Sequence, residues 1–72
     1  MIGQRIAGLR RDRNWTQLEL ARRTGLAAST IAAIEQDARR TKPEVDSLVA
    51  IARAFGTTLD VLLADSEAEV AR

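Results

Sequence analysis

Seventy-two residues suffice for one small domain, and with 46% apolar side chains the chain can bury one core if packing is efficient or a second copy helps. The sequence has no cysteine, histidine or tyrosine, which excludes disulfides, thiolate or imidazole metal sites and the commonest general base, and leaves catalysis to carboxylates, Lys and Arg alone. The net charge of +1 conceals a division: residues 1–42 carry nine basic groups against four acidic ones, a balance of +5, whereas residues 43–72 carry two against six, a balance of −4.

The first part should therefore draw a polyanion and the second repel one. Within it, Ile2, Ile6, Leu9 and Arg13 fall at steps of four, three and four, which predicts an amphipathic helix over residues 2–13. The aliphatic stem of Arg13 completes its stripe, Gly8 is a spacer within it and Asn14 closes it. Arg10 lies one step round from the stripe, at the core boundary, where a lone cation is costly.

Thr16 and Glu19 match a capping box, which starts a second helix at Gln17, and Trp15 with Leu20 is placed as a hydrophobic staple. That helix stops at Gly25, which takes a positive φ without a Cβ clash. Gln17, first after the cap, projects with its main-chain amide from a positive helix terminus, a place for a phosphate; an ordinary exposed helix former reads the same way. Leu26 then turns inward and a third helix runs to about Gln36. Ile31 and Ile34 share one face with Glu35 at its edge, while Ser29, Ala32, Ala33 and Gln36 point the other way. Counted from Gln17, Ala21 is fifth, Gly25 ninth, Ile31 fifteenth and Ile34 eighteenth, the spacing of a helix-turn-helix. A corner of two helices that merely packs would satisfy the same apolar positions.

The following loop holds Arg39, Arg40 and Lys42, three cations in four residues, placed either to straddle a phosphate backbone or simply to keep a loop soluble. Residues 44–55 predict a fourth helix with Val45, Leu48, Ile51, Ala52 and Phe55 on one face and Gly56 at its end. Thr58 caps a last short helix, Leu59 to about Ala64, bearing Val61, Leu62 and Leu63. So short a helix cannot bury all three, so at least one is expected at the surface. Residues 65–72 form an acidic tail. No apolar run approaches the roughly 18 residues of a membrane span and no signal peptide is visible, so the expected location is cytoplasmic.

These residues resemble one known family over nearly the whole chain. Arg5-Ile6 with Leu9-Arg10, Trp15-Thr16-Gln17 with Leu20-Ala21, Gly25-Leu26 with Ser29-Thr30-Ile31 and Ile34-Glu35, then Pro43, Leu48, Ile51-Ala52 and Phe55-Gly56, and last Thr58-Leu59-Asp60 with Leu62-Leu63, stand as in the lambda-repressor-like (Cro/C1-type, xenobiotic-response-element-type) helix-turn-helix regulators. The resemblance implies an all-α, compact five-helix DNA-binding domain over residues 1–64, followed by the tail at 65–72. It implies an ion pair between Arg10 and Glu35, and a Gln17 that meets the DNA backbone while bracing the third helix. Residues 28–36 become the recognition helix, with Ala28, Ser29, Thr30, Ala32, Ala33 and Gln36 toward the bases and Arg39, Arg40 and Lys42 on the backbone. Val61, Leu62 and Leu63 are implied to meet a twofold mate.

The sequence departs from that family in the helix that matters most. Ala27 stands where a Ser or Thr cap is usual, a loss of about 1 kcal/mol. Asp37 replaces a frequent Gly and brings an acid near phosphates. Short outward side chains exclude bidentate readout of G or A from most of the face. They leave one hydrogen bond from Ser29 or Thr30, alanine methyls against thymine methyls, and Gln36. Binding is then weakly sequence-specific, or specificity comes from DNA shape and the flanking loop, or the surface serves something other than DNA. The expected function is a homodimeric, sequence-specific transcriptional regulator that needs no cofactor, with double-stranded DNA as its partner. A second reading is an antitoxin or restriction-modification controller subunit that also binds a protein partner. An enzyme is the weakest reading, since neither a phosphate-cradling Gly loop nor a nucleophile-base pair is present in the sequence.

Overall fold

The structure, a computed structural model, describes residues 2–36 and 43–63. Helix α1 spans Ile2–Asp12, α2 Gln17–Thr24, α3 Ala28–Glu35 and α4 Val45–Ala54; residues 59–63 form the helical segment α5. Among the described residues there is no strand, so the fold is the all-α arrangement of five helices that the sequence predicts. Arg39, Arg40, Lys42 and the acidic tail lie outside the described residues.

Left-handed residues make three of the corners. Asn14 takes φ 59°, Gly25 φ 75° and Gly56 φ 74°. At Asn14 the helix end is closed by amides of Asn14 and Trp15 donating to the carbonyls of Arg11 and Arg10, and at Gly56 by amides of Gly56 and Thr57 donating to those of Arg53 and Ala52. Both are the paired bonds of a Schellman ending, which satisfies carbonyls that the helix itself leaves open. At Gly25 a single bond to the Ala21 carbonyl suffices.

Every helix then delivers one side chain to the centre. Ile6, Leu20, Ile31, Ile51 and Leu62, one from each of α1 to α5, are the largest fully buried residues, and Ala21, Ile34, Leu48, Ala52 and Phe55 pack around them. At about 1.5–3 kcal/mol for each large aliphatic side chain, this one cluster carries most of the hydrophobic stabilisation. Ala21, 4% exposed, is the small residue that lets α2 and α3 approach.

Two expectations need correction. Val45 is 64% exposed and does not join the α4 stripe. Leu62, expected at a subunit contact, is 1% exposed and belongs to the core, whereas its neighbour Val61 is 49% exposed. Over the described residues 59–63 the inward side carries Leu62, with Leu59 packed against the same cluster. Beyond the stem that the sequence assigns to the stripe, the Arg13 guanidinium donates to the Leu9 and Phe55 carbonyls at 3.0 and 3.1 Å.

Candidate nucleic-acid interface

The Thr16 cap is formed as the sequence predicts, its hydroxyl accepting from the Glu19 amide at 3.0 Å. The Glu19 carboxylate, however, is engaged by Arg23 at 2.9 Å and Arg22 at 3.5 Å along its own helix. At the opposite end of α2, the Thr24 hydroxyl contacts the Leu20 and Ala21 carbonyls at 2.9 and 3.1 Å and accepts from the Leu26 amide at 3.3 Å. That hydroxyl ties the last turn of α2 to the corner residue, and so sets how α3 leaves it. Periodicity alone does not reveal such a tie; a Thr immediately before a helix-stopping Gly was the available signal.

The second constraint on α3 is electrostatic. Arg10 grips Glu35 with two bonds, Nε to Oε2 at 2.7 Å and Nη2 to Oε1 at 3.1 Å, and donates its third nitrogen to the Trp15 carbonyl at 2.7 Å. Both residues are buried. Glu35 Oε1 also accepts from Gln17 Nε2 at 3.1 Å. The acceptor is a carboxylate, so only the amide nitrogen of Gln17 can face it. A single carboxylate on α3 thus joins α1 and the first turn of α2, and Gln17 is held beside α3 as the resemblance implies.

What α3 leaves outside is narrow. Ser29 and Gln36 are exposed, Thr30, Ala32 and Ala33 are half-buried, and Ile31, Ile34 and Glu35 are buried. Ala28, expected to face outward, is half-buried and packed against the core, because it lies on the side of the helix shared with Glu35. The open arc is therefore Ser29, Ala32, Ala33 and Gln36, at the i, i+3, i+4, i+7 spacing of one helix face. Ala27 sits in extended conformation at the N-cap with no side-chain hydrogen bond, as its methyl group requires.

Around Trp15 the rings and cations are layered. Trp15 stacks on Phe55 with centroids 5.7 Å apart and 12° between planes. The Arg23 guanidinium lies 4.1 Å from the Trp15 centroid, and that of Arg13 4.9 Å from the Phe55 centroid. This assembly holds the segment just before the Thr16 cap. The sequence placed Trp15 against Leu20 and did not anticipate the cations, because residues 13, 15, 23 and 55 share no local pattern.

A helix, a left-handed corner and a second helix locked at its far end define the helix-turn-helix class, and comparison with known proteins assigns the family. A helix-turn-helix family model matches residues 6–62; the chain belongs to this family of Cro/C1-type domains. It is 36% identical over 64 residues to the immunity repressor protein of Bacillus phage phi105, a match covering 89% of this chain and 43% of that protein. The chain thus spans less than half the length of that curated relative. Two solved structures share the fold at 32% identity over 88% of this chain. One is the biofilm master regulator SinR in complex with DNA, at a TM-score of 0.77 with 98% of that chain covered. The other is a SinR/SinI protein complex, at 0.79 with 60% covered.

Proposed function

We propose that the chain is a cytoplasmic, DNA-binding transcriptional regulator, without enzymatic activity, that acts as a homodimer on an operator of roughly twofold symmetry. The observation that carries this reading is the open arc of α3 held at a fixed angle by the Arg10–Glu35–Gln17 network, in a family whose relatives include a phage repressor and a regulator solved on DNA. In it, Ser29, Ala32, Ala33 and Gln36 lie along base edges. The main-chain amide of Gln17, in the first turn of α2, meets a phosphate, because first-turn amides have no acceptor inside the helix. Arg39, Arg40 and Lys42 bind the sugar-phosphate strands on either side. Val61 and Leu63 face the second subunit, so that two recognition helices enter major grooves about one turn of DNA apart.

Counterion release supplies the test. If each subunit neutralises about four phosphates, the slope of log affinity against log salt for the dimer is about −7, from roughly −0.9 per phosphate. Mobility shift across a salt series should give that slope, and Arg39→Ala with Arg40→Ala should flatten it. Affinity indifferent to both would defeat the reading.

A second reading adds a protein partner, as for an antitoxin or controller subunit. The SinR/SinI complex favours it, since a relative with this fold was solved with a protein bound. Co-purification of one stoichiometric partner from the native host, lost on substitution of Val61, would support it.

A further inference from the structure

We infer that α3 recognises thymine methyl groups, and that the centre of each half-site is a pair of A·T base pairs whose thymine C5-methyls touch Ala32 and Ala33. This rests on the DNA-binding reading above and specifies what that surface reads. From Ser29 to Gln36 the open arc extends about 10 Å at 1.5 Å per residue, the height of about three base pairs at 3.4 Å each. Its ends are polar and its middle is not. Ala32 and Ala33, both half-buried, stand between exposed Ser29 and exposed Gln36. The longer polar side chain nearby is already committed, since Glu35 is turned inward onto Arg10 and Gln17.

Two methyl groups with no donor or acceptor gain a favourable contact from only one kind of major-groove edge. Thymine alone presents a methyl group there, at C5. A G·C pair opposite the same alanines offers polar edge atoms, as A·T does, but no methyl, so the apolar contact that favours A·T is missing. Short side chains also hold the helix close to the bases, which brings methyl against methyl. Ser29 at one end, with one hydroxyl, and Gln36 at the other, whose amide suits an adenine edge, then fix the register.

Sites are recovered from a random-sequence duplex pool, and the recovered duplex is resynthesised with deoxyuridine in place of thymidine at one position at a time. This removes a methyl and nothing else, and the protein is unchanged. Loss of about 0.8 kcal/mol per methyl corresponds to roughly fourfold in affinity, and about fifteenfold when both methyls of a half-site go. The effect should be confined to the central positions and should shrink in an Ala32→Gly, Ala33→Gly variant. Recovered sites with G·C at their centres, or central deoxyuridine without effect, overturn this inference and leave the DNA reading standing. A pool from which no duplex is recovered overturns both.

Discussion

Glu35 accepts three hydrogen bonds from two residues on two other helices, and its side chain is 5% exposed. Removing one partner of such a pair strands a charge in the core, whereas replacing both with apolar groups does not. Glu35→Ala should therefore cost about 3–5 kcal/mol in urea unfolding, while Arg10→Met with Glu35→Leu should recover most of that loss. The double variant has a second use. With the core restored but Gln17 no longer tethered to α3, it should be stable and yet bind DNA more weakly than the parent. At this scale the sequence was legible where a residue's environment follows from its neighbours in the chain. Arg10 at the core boundary and Glu35 at the edge of an inward face are of that kind. The Arg13 bond to the Phe55 carbonyl joins positions 42 apart, and nothing local announces it.

Helix ends are local, which is why most of them could be read in advance. Thr16, Asn14, Gly25 and Gly56 each act within a turn, through a hydroxyl or a left-handed backbone. The faces were harder. Val45 lies at the margin of the α4 stripe, and periodicity does not say how far along a helix its neighbours reach. Three substitutions test the local rules. Ala27→Ser should supply the missing cap of α3 and raise stability by about 1 kcal/mol. Gly8→Ala should add about 0.5–1 kcal/mol, because a Cβ at Gly8 would meet nothing within 4 Å and the residue sits inside α1. Gly25→Ala, also without a steric neighbour, should lose about 1–2 kcal/mol from its positive φ alone. Thermal or urea midpoints decide all three.

For the whole molecule, adjacent residues of α5 lie in opposite environments, Leu62 in the core and Val61 exposed. Leu62→Ala should cost about 2–5 kcal/mol, since it opens the central cluster. Val61→Glu should leave the fold intact and, if the second copy docks here, produce monomers in sedimentation and weaken operator binding. A dimer that survives Val61→Glu places the subunit contact elsewhere. The overall fold was legible because five short amphipathic segments admit few ways to bury five apolar stripes. The inward member of Val61-Leu62-Leu63 was not, because three consecutive apolar residues carry no period.

The stack of Trp15 on Phe55 has a practical outcome for anyone following these variants. Trp15 is the chain's sole indole, and it meets a ring from the end of α4 and a cation from α2. That environment exists only while the two halves of the chain are docked. Its fluorescence is therefore a built-in optical gauge of global unfolding, and no dye or label has to be attached to see the helices part.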